Sequence, residues 1–125
     1  MPPTQTILTD LFTIGQRQGE IPWQPFRPGV EIYPLCQGQD TPAQLALLRY
    51  QPGASVPRHR HPGFEHILVL WGAQEDDQGR YPVGTLTINP PGSQHRVASP
   101  EGCIVLIGWE KPVEIQPVEE ELGKS

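Results

Sequence analysis

Cysteine is scarce in this chain, and the two present, Cys36 and Cys103, form no CxxC pair. Zinc-finger and thioredoxin-like readings fail on that count, and the two read as reduced thiols in a packed domain. Basic residues are also few. The nine Lys and Arg are scattered and face fourteen Asp and Glu, for a formal charge of −5. The electrostatic footprint of a nucleic-acid binder is therefore missing, and no nucleic-acid partner is expected. No apolar run approaches the length that crosses a bilayer, so no membrane partner is expected. Met1 to Gly15 lacks the charged start, apolar middle and small-residue cleavage pattern of a secretory signal, and the expected location is the cytoplasm.

Proline and glycine, in contrast, number 16 and 13 without any repeating period. Such a composition favours many short strands joined by tight turns over long helices. With 36% apolar residues in 125, the chain can bury one modest core. Ile7, Leu8, Leu11, Phe12 and Ile14 form a short apolar segment that reads as a helical turn or an edge strand. From Ile21 onward, apolar runs are each closed by a Pro or Gly signal. Val30 to Leu35, Ala43 to Gln51, His66 to Trp71, Gly84 to Asn89 and Cys103 to Trp109 read as strands. Gly72 and the acidic stretch Glu75, Asp76, Asp77 and Gly79 read as hairpin chemistry. Cys103 to Trp109 is apolar on both faces, so its outer face needs cover from another element or a second subunit; on that ground a homodimer is expected. About eight to ten short strands suit an all-β sandwich, jelly roll or small barrel in a single domain. Residues 1–20 are expected as an N-terminal extension or edge strand, 21–115 as the barrel and 116–125 as an acidic C-terminal tail.

All four histidines lie between residues 59 and 95, and three fall in a spaced pattern. The first half reads Gly53-x5-His59-x-His61-x3-Glu65-x6-Gly72, and the second Gly84-x5-Pro90-x-Gly92-x2-His95. His59 and His61 are two apart, so on an extended backbone both project from one face and can reach one ion. The Pro62-Gly63 turn brings Glu65 back to the same site from the next strand. Gly53 and Gly72 mark the bracketing turns, where a positive φ or a close approach is tolerated. Pro90, Pro91 and Gly92 build a rigid turn that presents His95 from a different strand. Three imidazoles and a carboxylate suit one divalent metal ion, Fe(II) or Zn first, with Ni or Mn also accommodated. An octahedral ion would retain two open positions for water or substrate. At the chain's own glycine and proline frequencies, chance placement of those five residues has a probability on the order of 10⁻⁵, so accident does not explain the pattern.

Both halves resemble the two motifs of the cupin superfamily, whose fold is a small β-barrel of jelly-roll (double-stranded β-helix) topology. The second half departs once, with Ser99 where an Asn is common; that is not a ligand position. The stretches Trp23 to Val30, Pro52-Gly53-Ala54, Pro62 to Leu70 and Glu101-Gly102-Cys103 resemble the cupin domain of the ChrR-type anti-sigma factors over about residues 22–110. By position, the resemblance implies the metal ligands His59, His61, Glu65 and His95. It does not imply anti-sigma activity, because the helical zinc-binding domain that holds the sigma factor has no counterpart in this sequence.

Outside the motifs, His66 has the parity opposite to Glu65 and is expected to be buried or at an interface. Val69 and Trp71 share the parity of Glu65, which suits core packing or the lining of an apolar pocket beside the metal. Arg58 and Arg60 read as solvated or interface residues, and Cys103 as core. Three functions fit. The leading one is a metal-dependent oxygenase of the non-haem Fe(II) type acting on a small diketone or aromatic ketone, as some stand-alone cupins do, with Glu65 as fourth ligand or catalytic base. The others are a non-catalytic metal or small-molecule sensor of the ChrR type and a barrel whose zinc supports folding.

Overall fold

The computed structural model describes residues 4–116, so the expected acidic tail lies, beyond Gln116, outside the described residues. Among the described residues ten antiparallel strands build the fold: β1 Gln24–Arg27, β2 Val30–Gln37, β3 Gln44–Tyr50, β4 Ala54–Arg60, β5 Glu65–Asp76, β6 Gly79–Pro82, β7 Leu86–Asn89, β8 Gln94–Ser99, β9 Cys103–Trp109 and β10 Glu114–Ile115. One sheet runs β1-β2-β3-β9, then the first half of β5, then β7. The other runs β10-β4-β8, then the second half of β5, with β6 beside it. The two curl around a shared interior as an all-β, jelly-roll barrel. Alternating residues from both sheets, among them Val30, Leu48, Val56, Ile67, Val97 and Val105, fill it, each contributing about 1.5–3 kcal/mol by burial.

β5 belongs to both sheets, and Gly72 is where it crosses. The register against β9 slips between Val69 and Trp71, and Gly72 takes φ +73° with its backbone pressed on the Gly102 carbonyl. A side chain at Gly72 would collide with that carbonyl. The expected turn at Gly72 is thus a positive-φ position inside a continuous strand, just past a bulge between Val69 and Trp71, and the reversal comes later, between Asp76 and Gly79. Sequence gives the same signal for both, because each demands a positive φ. The bulge also breaks parity: Val69 stays in the core, but Trp71 lies outside, its indole packed against Gly15, away from the cavity beside His59 and Glu65.

The N-terminal segment forms two 3₁₀ helices, Leu11–Gln16 and Gln18–Glu20, not an edge strand. Ile14 is buried with Leu47, Leu70 and Ile104, and Leu11, Ile21 and Trp23 pack beside it on the outer face of the first sheet. The two-sided apolarity of β9 is therefore satisfied within the chain and does not call for a second subunit. Among the described residues no helix is long and apolar enough to cross a membrane.

Candidate metal centre

His59 on β4 and His95 on β8 are direct cross-strand partners, so their rings meet on the inner face of the second sheet. A bulge between Val56 and His59 lets both residues face inward although they are three apart, and Pro57 sits in it, where no ladder N–H is required. His61 follows on the same face and is tied to the β8 turn: its N–H donates to the Ser93 carbonyl, and its carbonyl accepts from Gly92 N–H. The Pro62-Gly63 bend then carries the chain to the opposite sheet. β4 and β5 do not pair, so Glu65 reaches the histidines across the interior. All four side chains are buried, and their ligand atoms lie within 4.8 Å of one another. The imidazole centroids are 4.6–5.0 Å apart in edge-on arrangements.

Each ring is held through Nδ1. His59 Nδ1 is 2.9 Å from the Pro57 carbonyl, which only accepts, so that nitrogen carries the proton. His61 Nδ1 is 2.9 Å from Ser93 Oγ, whose own hydrogen is donated to the Pro90 carbonyl at 2.6 Å, so His61 also donates. His95 Nδ1 donates to Asp76 Oδ2 at 3.1 Å, while Asp76 Oδ1 accepts from the Tyr81 hydroxyl at 2.6 Å and from Gln78 N–H at 2.8 Å. The hydrogen-bond network thus assigns one tautomer to all three rings and leaves every Nε2 with a lone pair aimed at the common point.

Glu65 completes the set. Trp109 Nε1 donates to its Oε2 at 2.8 Å and Asn89 Nδ2 to its Oε1 at 3.1 Å, from the two strands that flank Glu65 in register. Oε1 then lies 3.0 Å from His61 Nε2 and 3.6 Å from His95 Nε2. Those two buried nitrogens have no hydrogen-bond partner among the described residues. With the protons on Nδ1, lone pairs face a carboxylate oxygen at contact distance, an arrangement that is repulsive unless a cation sits among them. Burial alone raises the Glu65 carboxyl, and it falls well below the usual range only when His61 and His95 present Nε2–H donors and positive charge to it, the place a cation takes when the rings are neutral. Burial lowers His59, favouring the neutral ring that binds metal. The donor set therefore fits a divalent ion, and Oε1 is the Glu65 oxygen that faces the imidazoles.

The four expected residues are brought together. Trp109, Asn89, Ser93 and Asp76, which orient them, were not legible as site residues. Only Ser93, inside the Pro-Gly-Ser turn before His95, carried a local hint. His66 is exposed, not buried, and its ring stacks on Phe64 at 5.9 Å. Arg58 and Arg60 face outward, paired with Asp77 at 2.6 Å and Glu114 at 3.2 Å. Cys103 is buried as expected, and burial pushes its thiol up to about 11. Ser99 is buried too, its hydroxyl donating to the Ala73 carbonyl at 2.6 Å.

A cavity of about 30 Å³ adjoins the centre, walled by His59, Glu65, Tyr50 and Arg27 among apolar side chains. It shares Phe26, Arg27, Trp109 and Val113 with a vestibule of about 180 Å³.

The ChrR cupin-like domain model matches residues 13–112. The anti-sigma-E factor ChrR of Cereibacter sphaeroides is 31% identical over 102 residues, covering 80% of this chain and 47% of that protein, so the chain spans about half the length of this relative. The crystal structure of Rhodobacter sphaeroides SigE in complex with the anti-sigma ChrR superposes with a TM-score of 0.67 at 31% identity, over 77% of this chain and 53% of that one. An acetylacetone dioxygenase from Acinetobacter johnsonii superposes at 0.75 over 95% of this chain and 81% of that one; at 14% identity the likeness is one of fold.

Proposed function

This chain belongs to the ChrR cupin-like domain family, and from that premise we propose that it binds one divalent metal ion through His59, His61, Glu65 and His95 and acts as an Fe(II)-type oxygenase on a small dicarbonyl compound. The observation that carries the reading is the set of three imidazoles fixed through Nδ1, with every Nε2 free, beside a cavity that opens to the surface. Catalytic metal sites keep positions open to a ligand, whereas structural ones are closed. Bound there, the ion would supply a Lewis-acidic centre with positions for small oxygen ligands.

The chain's own groups do the rest. Trp109 and Asn89 hold the Glu65 carboxylate so that Oε1 alone faces the rings. Leu48, Val56, Ile67, Val97 and Ile107 keep bulk water from the cavity. Burial raises the Tyr50 phenol, so this lining residue stays protonated and adds no negative charge to the cavity wall. Glu65 is the fourth ligand through Oε1 or, where three histidines alone hold the ion, the base that takes a proton from a bound dicarbonyl. The small inner cavity, about 30 Å³, favours a dicarbonyl over a bulkier aromatic ketone.

The test is oxygen consumption by Fe(II)-reconstituted protein offered acetylacetone or 2,3-butanedione. Turnover that is lost in His61→Ala is expected; no turnover with any divalent metal would favour the second reading. That second reading is a ChrR-type sensor, in which a ligand at the same centre alters a surface read by a partner. The 31% identity to ChrR supports it, and a sigma-factor gene beside this one would strengthen it.

A further inference from the structure

The cavity wall carries a cation that nothing else in the described structure neutralises. Five arginines, Arg17, Arg49, Arg58, Arg60 and Arg80, sit in ion pairs with carboxylates. The other two of the seven, Arg96 and Arg27 at the end of β1, are in none among the described residues; Arg96 is exposed, whereas Arg27 is partly buried. Its guanidinium lies 5.1 Å from the centre of the Phe26 ring, which holds it by a cation–π contact. From there it lines both the inner cavity and the vestibule, at the neck between them. The rest of that neck, Phe26, Trp109 and Val113, is apolar. An unpaired guanidinium in such a wall is costly unless solvent or an anion meets it.

We propose that Arg27 is the recognition residue for a small organic anion, a carboxylate or enolate of a few carbon atoms, whose charge docks at the neck while its other end faces His59 and Glu65. The proposal rests on the metal-centre reading and deepens it. A divalent ion together with Arg27 outweighs the single carboxylate of Glu65, so the loaded cavity is positive within a chain of formal charge −5. Guanidinium geometry matches the two oxygens of a carboxylate or of a dicarbonyl enolate, and the apolar neck suits a short hydrocarbon tail. Size is bounded too: the inner cavity is about 30 Å³ against about 180 Å³ for the vestibule, so most of the ligand sits in the vestibule.

Pyruvate and 2,3-butanedione are nearly isosteric and differ in charge, which makes them the probes. Protein loaded with Co(II), its metal content measured, is titrated with each while the broadening of the ligand methyl protons reports proximity to the paramagnetic ion. For the native chain, pyruvate is expected to bind at least tenfold more tightly than 2,3-butanedione. Arg27→Gln is expected to weaken pyruvate tenfold or more, to leave 2,3-butanedione within twofold and to leave Co(II) content unchanged, and Arg27→Lys to recover part of the loss. Equal affinities for the two probes in the native chain, or an equal effect of Arg27→Gln on both, would overturn the anion assignment with the metal centre intact. Failure of the native chain to retain Co(II) would overturn the centre itself, and the assignment with it.

Discussion

At the scale of single residues, the centre depends as much on groups that never touch the ion as on those that would. Trp109 donates to Glu65 Oε2 and Asp76 accepts from His95 Nδ1. Loss of such an orienting partner costs roughly 10–100-fold in metal affinity in comparable sites. Trp109→Phe keeps most of the apolar volume and removes the N–H, so zinc affinity measured by chelator competition is expected to fall at least tenfold with little change in melting temperature. Asp76→Ala is expected to do the same, whereas Asp76→Asn, which keeps an acceptor oxygen, should recover most of the affinity. An unchanged affinity in Trp109→Phe would mean that Glu65 is not a ligand through Oε1. His59, His61, Glu65 and His95 were legible because their spacing is local: two residues of strand, one turn, then a second turn. Trp109, Asn89 and Asp76 were not, because they arrive through strand register across long stretches of sequence, which composition and periodicity do not encode.

At the scale of elements, β5 and the N-terminal 3₁₀ segment show where sequence reasoning runs short. Gly72 was visible as a glycine that must tolerate a positive φ, and it does. A turn and a bulge make the same demand, and only the β9 backbone beside it decides between them. Gly72→Ala would add strain at a positive φ and a clash with a backbone carbonyl that cannot easily move, an expected loss of about 2–4 kcal/mol measured by urea unfolding. Ile14 marks the second case. Its neighbourhood of apolar residues was evident, but not that the segment would wind over the outer face of the first sheet and cap Leu47, Leu70 and Ile104. Ile14→Ala is expected to cost about 2–5 kcal/mol by the same measurement, because the side chain is 1% exposed. A loss under about 0.5 kcal/mol would show that the segment does not dock in solution.

At the scale of the whole molecule, one buried apolar cluster joins residues of both sheets, from Val30 to Trp109, by side-chain packing that needs no ion. The barrel is therefore expected to remain folded without its ion. Chelation should lower the melting temperature, since a ligand that binds only the folded state adds about 4 kcal/mol when its concentration is 1,000 times Kd. Circular dichroism of the chelated protein should still show the β signature, and unfolding on chelation would restore the zinc-as-scaffold reading. The claim on which all of this depends is that three Nε2 atoms and one carboxylate oxygen share a single cation. X-ray absorption at the zinc edge of protein loaded with one equivalent of Zn(II) tests it most directly. The account predicts three imidazole nitrogens at about 2.0–2.1 Å with their outer-ring scattering, plus one or more oxygens in the same shell. A shell of oxygens with no imidazole scattering, or one with sulfur, would contradict it.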